Sequence, residues 1–219
     1  MKKLTSLLLL VIVIMVAIFA ASPYYRAYQL KTAFEDKNGA LIAAAIDYET
    51  LKPSIKTQLK DKFAVTIKQY PAVVELGGAP LMEAANGFID NAVNDAITAQ
   101  NVEKLITTQG QANNATKELA AAWAIASNQI NLKTLIRDMI IERGDIDAVV
   151  KKQVNLVMNN QAQRIETAKT APDAGKPELH YCGINCFTIS GVVKGYPVTV
   201  EMARQGFTTW KIVDVTLPE

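Results

Sequence analysis

The sequence predicts an α+β protein, with N-terminal helices packed against a C-terminal antiparallel four-stranded sheet. Three observations lead there. Apolar residues recur at a period near 3.6 from Ala27 to about residue 169, a cluster of turn formers over residues 170–177 ends that pattern, and apolar residues beyond it alternate at a period of two. At 219 residues, 50% hydrophobic and 20% charged, the chain has the size and composition of one ordinary domain, or of a small one plus an appendage. A disordered, collagen-like or disulfide-dense chain is excluded.

The appendage comes first. Lys2 and Lys3 precede an unbroken apolar run over residues 7–21. From Lys3 to Pro23 a helix rises about 30 Å, close to the hydrocarbon thickness of a bilayer. Two readings compete. A cleaved secretory signal needs small residues before the cut, yet cleavage after Ala20 leaves Ile18 at the third-last position, cleavage after Ala21 leaves Phe19 there, and Pro23 discourages cleavage after Ser22. An uncleaved anchor accounts for the length, for the basic residues left inside, and for Tyr24 and Tyr25 at the outer boundary. A buried cytosolic helix is a third, weaker reading. No cysteine follows the run, so a bacterial lipid anchor is excluded. Both leading readings divide the chain into a signal anchor or signal peptide over residues 1–25 and a single α+β domain over 26–219. They place that domain in the bacterial cell envelope, anchored to the inner membrane and facing the periplasm, or secreted to the periplasm.

The helices follow in order. Ala27, Leu30, Ala33 and Phe34 share one helical face, and Asn38-Gly39 supplies a left-handed stop. Residues 40–46 read as a short second helix, with Asp47 placed to cap or turn the chain. Pro53 suits a first helical turn, after which Ile55, Leu59 and Phe63 fall on one face and Lys56, Lys60 and Lys62 on a solvated one. These lysines would also suit anionic headgroups near a bilayer, although Asp61 and neighbouring acids dilute the effect. That helix is expected to end before Pro71. Gly77, Gly78 and Pro80 predict a break. Leu81, Ala85, Phe88, Ala92 and Ala96 then define a fourth helix, and a short one runs from Val102 to about Thr107. Further on, Leu132, Leu135, Ile136, Met139 and Ile140 form a stripe that stops at Arg143-Gly144. Asp145 caps a partner helix carrying Ile146, Val149, Val150, Val154 and Val157, which completes a helical hairpin.

Four strands are expected over residues 178–182, 186–193, 196–204 and 207–217, joined in part by short connections at Lys194-Gly195 and Gln205-Gly206. Phe187, Ile189 and Val193 alternate with polar residues, as do Val198, Val200 and Met202. The last strand is irregular. Trp210 and Ile212 point one way while Val213, Val215 and Leu217 point the other, which requires a bulge or burial of both faces. Cys182 and Cys186 would lie about 13 Å apart on one straight strand, beyond the reach of a bridge. A tight loop through Gly183, Ile184 and Asn185 would close them into a disulfide, which an oxidising compartment permits. Packed free thiols and, more remotely, a metal site are the alternatives. The metal site is poorly supported, because His180 is the nearest histidine and no fourth ligand is evident.

Ser22-Pro23-Tyr24-Tyr25, Tyr28-Gln29-Leu30, the stretch 47–59 with Leu51, Ser54, Lys56 and Gln58, and the C-terminal Arg204-Gln205-Gly206-Phe207 and Trp210-Lys211-Ile212-Val213-Asp214-Val215 together resemble the bacterial domain-of-unknown-function family 2939. The resemblance covers about residues 22–108 and 178–218. It implies an anchored or secreted protein with helices first and an antiparallel sheet last, in which residues 110–177 are a helical insertion and linker. It carries no catalytic or binding residues to transfer. A looser likeness is to nuclear-transport-factor-like or cystatin-like α+β folds, in which a curved sheet wraps on the helices. The apolar sheet face would then pack on the side of Leu30, Phe34, Leu51 and Leu59.

Charge and chemistry narrow the function. Of 23 basic and 21 acidic residues, Lys2 and Lys3 sit in the leader, so the remainder is balanced and nothing points to nucleic acid. No phosphate-binding loop, dinucleotide fingerprint, metalloprotease or hydrolase motif occurs, and Gly77-Gly78 lacks the lysine and hydroxyl that a phosphate cradle needs. Asp145 and Asp147 are accounted for by capping. His180 is expected on a strand as a surface or half-buried residue. The expectation is therefore a noncatalytic binding or interaction module without a cofactor. Its partners would be the membrane, through the N-terminal helix, and a protein or a small apolar ligand. The alternative is a carrier or enzyme using a cavity on the sheet at Phe187, Arg204 and Trp210, with Arg204 as an anion contact. Against that, Phe187 and Trp210 would be plain core and Arg204 a solvated or ion-paired edge residue. Self-association through the insertion is a third, structural reading.

Overall fold

The computed structural model describes residues 2–108, 114–126, 152, 176–193 and 196–216. The helical hairpin expected around residues 132–157, its cap at Asp145, and the turn cluster over 170–175 lie outside the described residues.

The chain opens with α1, Lys2–Glu35, one unbroken helix of 34 residues and about 51 Å. Residues 7–18 present exposed apolar side chains, whereas Ala27 and Ala33 further along are buried. The segment Ser6–Glu35 is long and apolar enough to cross a membrane. Phe34, expected on the packed face, is 64% exposed. The helix ends because Lys37, rather than Asn38 or Gly39, takes the left-handed conformation (φ 56°). Asn38 instead caps α2, Gly39–Ala44, by accepting from the Leu41 N–H. Asp47 caps α3, Tyr48–Lys68, in the same way, accepting from the Thr50 N–H at 3.3 Å.

Helices α3, α4 (Pro71–Ala96) and α6 (Asn114–Ala126) form the larger core. Leu51, Ile55, Leu59, Phe63 and Ile67 line α3 at helical spacing and meet Ile89, Ala92 and Val93 of α4 and Ala122 and Ala126 of α6. Full burial of a side chain such as Leu59 or Phe63 contributes about 1.5–3 kcal/mol. Thr66 donates to the Ala126 carbonyl at 2.9 Å, satisfying a group at the end of α6. Since α6 falls within residues 110–177, part of the expected insertion belongs to the main core.

Two expectations are corrected here. Gly77, Gly78 and Pro80 do not break the chain, because α4 runs through them. Two glycines and a proline cost about 1 and 3 kcal/mol per residue in a helix, which the packing of α4 along α3 and α6 offsets. The lysine face of α3 is not simply solvated either. Lys60 reaches Asp90 of α4 at 2.7 Å, Lys56 lies 4.0 Å from the same carboxylate, and Lys62 sits over the Trp123 ring at 5.4 Å.

After α5, Ala99–Thr107, which packs on α2, the described chain resumes for the sheet. Strands β1 (Glu178–Gly183), β2 (Cys186–Val193), β3 (Tyr196–Arg204) and β4 (Trp210–Thr216) form an antiparallel meander in sequence order. The irregularity of the last strand is a bulge. Glu201 pairs with Asp214 but Met202 with Ile212, so Val213 is the extra residue, and Trp210, Ile212 and Val215 come to one face. The expected short turn at Gln205-Gly206 is longer, and β4 starts at Trp210 rather than Phe207, with the Gln205 N–H donating to the Thr209 carbonyl across the loop.

The open edge of β4 is covered by the α2–α3 link. Ile212 donates to the Ala45 carbonyl and the Asp47 N–H to the Ile212 carbonyl, each at 2.8 Å. Ser54 and Gln58 of α3 clip the same strand through the Asp214 carboxylate, and Gln58 also donates to the Val215 carbonyl at 3.1 Å. All three residues come from the segments that carry the family resemblance. The apolar face of the sheet itself forms a second core, in which Phe187, Met202 and Trp210 pack on Ala27 of α1, with Leu30 alongside. The sheet therefore rests on α1. Leu51 and Leu59, expected beneath it, belong to the helical core, which the sheet joins through Val215.

Candidate functional site

The site is the joint between α1 and the sheet, and its origin is Pro23. A proline inside a helix has no N–H, so the carbonyl four residues earlier, that of Phe19, loses its helical donor. The neighbouring Ser22 hydroxyl donates to that carbonyl at 2.8 Å, and Arg204 adds a second donor through Nη2 at 3.3 Å. Trp210 Nε1 in turn donates to Ser22 Oγ at 2.9 Å, and Arg204 Nη1 does so at 3.2 Å. One turn of the apolar helix is thus read by two side chains of the sheet.

Arg204 closes the clasp. Its guanidinium lies between two rings, 3.5 Å from the centroid of Phe19 and 4.3 Å from that of Trp210. It donates further to the Phe207 carbonyl at 2.7 Å and, through Nε, to the Ile184 carbonyl at 3.3 Å. Ile184 sits in the β1–β2 turn, which is tied by the disulfide between Cys182 and Cys186, with their Cα atoms 5.0 Å apart. The intervening Gly183, Ile184 and Asn185 make the tight loop that this spacing demands, and Asn185 accepts from the Arg204 backbone N–H at 3.0 Å. The bridge thereby holds two of the carbonyls that position Arg204. Glu201 lies within 4.8 Å of both sulfurs, but those sulfurs are bonded to each other rather than free to ligate.

Aromatic rings fill the space around the clasp. Tyr24 meets Phe187 edge-on at 4.9 Å, Phe187 meets Tyr181 at 5.2 Å and Trp210 at 6.2 Å, and Phe207 meets Phe19 at 5.4 Å. Tyr181 also donates to the Ala20 carbonyl at 2.9 Å. The structure therefore brings Phe187, Arg204 and Trp210 together in a packed joint. Phe187 is fully buried, and the Arg204 guanidinium makes four hydrogen bonds to protein groups, three of them to backbone carbonyls.

A cavity of about 680 Å³ lies on the other side of Ser22 and Trp210, between α1, the end of α2 and the start of β4. Trp210 lines it; its cations are Arg26 and Lys211 instead of Arg204. Arg26 donates to Gln29 Oε1 at 3.1 Å, while its buried Nε finds no partner among the described residues. Lys211 donates to the Ala44 carbonyl. Neither residue stands out in the sequence, although a serine-proline pair at the end of an apolar helix is a legible signal of freed carbonyls.

The chemistry of the joint is that of a fastening. The partners of the Ser22 hydroxyl are one carbonyl oxygen and two N–H donors, none of them a base that would activate it. His180 is exposed on β1 beside Glu178 Oε2 at 3.4 Å, on the rim of the sheet. Both cysteines are consumed in the disulfide.

No curated protein and no solved structure matches the chain. One family does match. The matched segment takes in most of α1 and all of α2, α3 and α4, including Ser22, Pro23, Ser54 and Gln58, whereas Arg204, Trp210 and the disulfide lie beyond it. Residues 12–105 of this chain match the family described as Protein of unknown function (DUF2939), the family that Ser22-Pro23-Tyr24-Tyr25 and the stretch 47–59 resemble.

Proposed function

We propose that this is a membrane-anchored envelope protein whose α+β domain faces the periplasm, stands rigidly on its own uncleaved anchor, and acts as a noncatalytic binding module. The observation that carries this reading is the division of labour within α1. Its apolar first half is exposed over residues 7–18, and its second half is built into the second core without a break in the helix.

An exposed apolar helix surface of that length is stable in lipid rather than water. The candidate cleavage positions support the anchor over a signal peptide. A cut after Ala20 or Ala21 removes the Phe19 ring and the carbonyls of Phe19 and Ala20, which receive Arg204, Ser22 and Tyr181. Lys2 and Lys3 favour a cytoplasmic N-terminus, and the Cys182–Cys186 bridge favours an oxidising space for the sheet. A small-ligand carrier is the second reading, favoured by the cavity beside Trp210.

The test is a pair of C-terminal fusions to Glu219, one to alkaline phosphatase and one to a fluorescent protein that matures only in the cytosol, with mass spectrometry of the untagged chain from washed membranes. The expected result is an active phosphatase, a dark fluorescent fusion, and an N-terminal peptide that still contains residues 4–23. An inactive phosphatase, or a mature chain beginning between Ala21 and Tyr24, overturns the reading.

A further inference from the structure

We propose that the cavity between α1 and β4 binds a phosphate-bearing anion at the membrane surface. This inference rests on the anchored reading for its location, though not for its chemistry. At about 680 Å³ the cavity falls in the range of small-molecule sites, which runs from about 300 to 1,000 Å³. Its two charged lining residues are both cations, Arg26 and Lys211, and no aspartate or glutamate lines it among the described residues. Thr208 and Thr209 add hydroxyl groups on the same wall.

Arg26 Nη1 donates to Gln29 Oε1, and the guanidinium lines the cavity with the N–H groups of its terminal nitrogens that this bond leaves over. An anion with several acceptor oxygens is the group that suits such a planar fork. The flexible four-carbon stem of Lys211 lets its ammonium serve a second oxygen while staying near Ala44.

Position favours a lipid as the source. The sheet is packed on Phe19, Ala20 and Ser22, so the hydrocarbon core reaches no further along α1 than the exposed apolar residues ending at Ile18. Ile18 at the foot of the cavity then lies at the edge of the core, where an acyl chain would continue from a bound headgroup, and the cavity rises from it toward Arg26, about 12 Å further along the helix, through a headgroup layer of about 5–8 Å. Free phosphate offers the same chemistry without the chain.

The experiment uses the full chain in a nonionic detergent with Trp123→Phe, which leaves Trp210 in the cavity wall as the sole tryptophan. Its emission is titrated separately with dihexanoyl phosphatidylglycerol, dihexanoyl phosphatidylcholine and inorganic phosphate. The expected result is a saturable change with phosphatidylglycerol. Arg26→Gln and Lys211→Gln each weaken it at least about tenfold, the effect of losing one charge-assisted contact, while melting temperatures stay within a few degrees. Tighter binding of phosphatidylglycerol than of phosphate assigns the ligand to the membrane, and equal affinities assign it to a free anion. No saturable change with either anion, an equal response to phosphatidylcholine, or affinity unchanged in both variants overturns the proposal. Because the titration is independent of where the cell places the protein, a failed fusion test removes the anchoring while leaving anion binding measurable. A failed titration removes the site and leaves the anchoring intact.

Discussion

Replacing Ser22 with alanine tests the joint between helix and sheet at its centre. The hydroxyl accepts from Trp210 Nε1 and Arg204 and donates to the Phe19 carbonyl, and Ser22 and Trp210 are 7% and 1% exposed. In Ser22→Ala the indole N–H is left buried without an acceptor, at a cost of about 1–3 kcal/mol. Arg204 loses little, because the carbonyls of Phe207, Phe19 and Ile184 still hold it. Alanine is the better helix former by about half a kcal/mol, which offsets part of the loss. The expected net destabilisation is about 1.5 kcal/mol, or about 3–6 °C in melting temperature for a domain of this size. A double-mutant cycle with Trp210→Phe isolates the bond, since the phenyl ring has no N–H to orphan. We expect the two losses to be less than additive by about 1–2 kcal/mol when unfolding is followed in detergent by near-ultraviolet circular dichroism. Additivity within about 0.5 kcal/mol, or an unchanged melting temperature for Ser22→Ala, would refute the argument that the sheet is fastened to α1 through this hydroxyl.

Three further outcomes are expected. Reduction of the Cys182–Cys186 bridge, or its replacement by two serines, lowers stability by about 2 kcal/mol, the loop-closure value for so short a ring; two alkylated thiols without prior reduction would show that no bridge forms. Gly39→Ala places a methyl group against the Glu103 carbonyl and 2.8 Å from the Glu103 Cα, so α2 and α5 are forced apart at a cost of about 1–3 kcal/mol; thermal stability matching the parent would show that the two helices are not in contact. Asp90→Asn removes the partner of Lys60 and Lys56 at a half-exposed site, so the loss stays below about 1 kcal/mol and shrinks further in high salt; a larger loss that persists in salt would mean that the carboxylate has a role beyond these pairs.

The candidate site was legible in part. Trp210, Phe187 and Arg204 stand out as large or charged residues on three consecutive strands, and they do meet. What they meet is α1, and the distance between Ser22 and Trp210 along the chain, 188 residues, puts that contact beyond any local pattern. The cations of the cavity were illegible for the same reason. Arg26 follows a tyrosine pair that reads as a membrane boundary, and Lys211 reads as the polar half of an alternating strand. Only the approach of α2 to β4 turns them toward one space.

By itself the sequence determined the kinds and order of elements, because hydrophobic period, capping residues and turn formers act within a few residues of one another. The helical face of Ile55, Leu59 and Phe63, the cap at Asp47, the alternation through Phe187 and Met202, and the spanning length of the apolar opening all belong to that class. Only the tertiary structure decided that α4 passes through Gly77, Gly78 and Pro80, that Lys60 turns inward to Asp90, that Phe34 stays in solvent, and that the sheet seats on α1. Each of those outcomes is set by the free energy of contacts between segments far apart in the chain. Such contacts outweigh local propensities of about 1–3 kcal/mol and leave no periodic trace in the sequence.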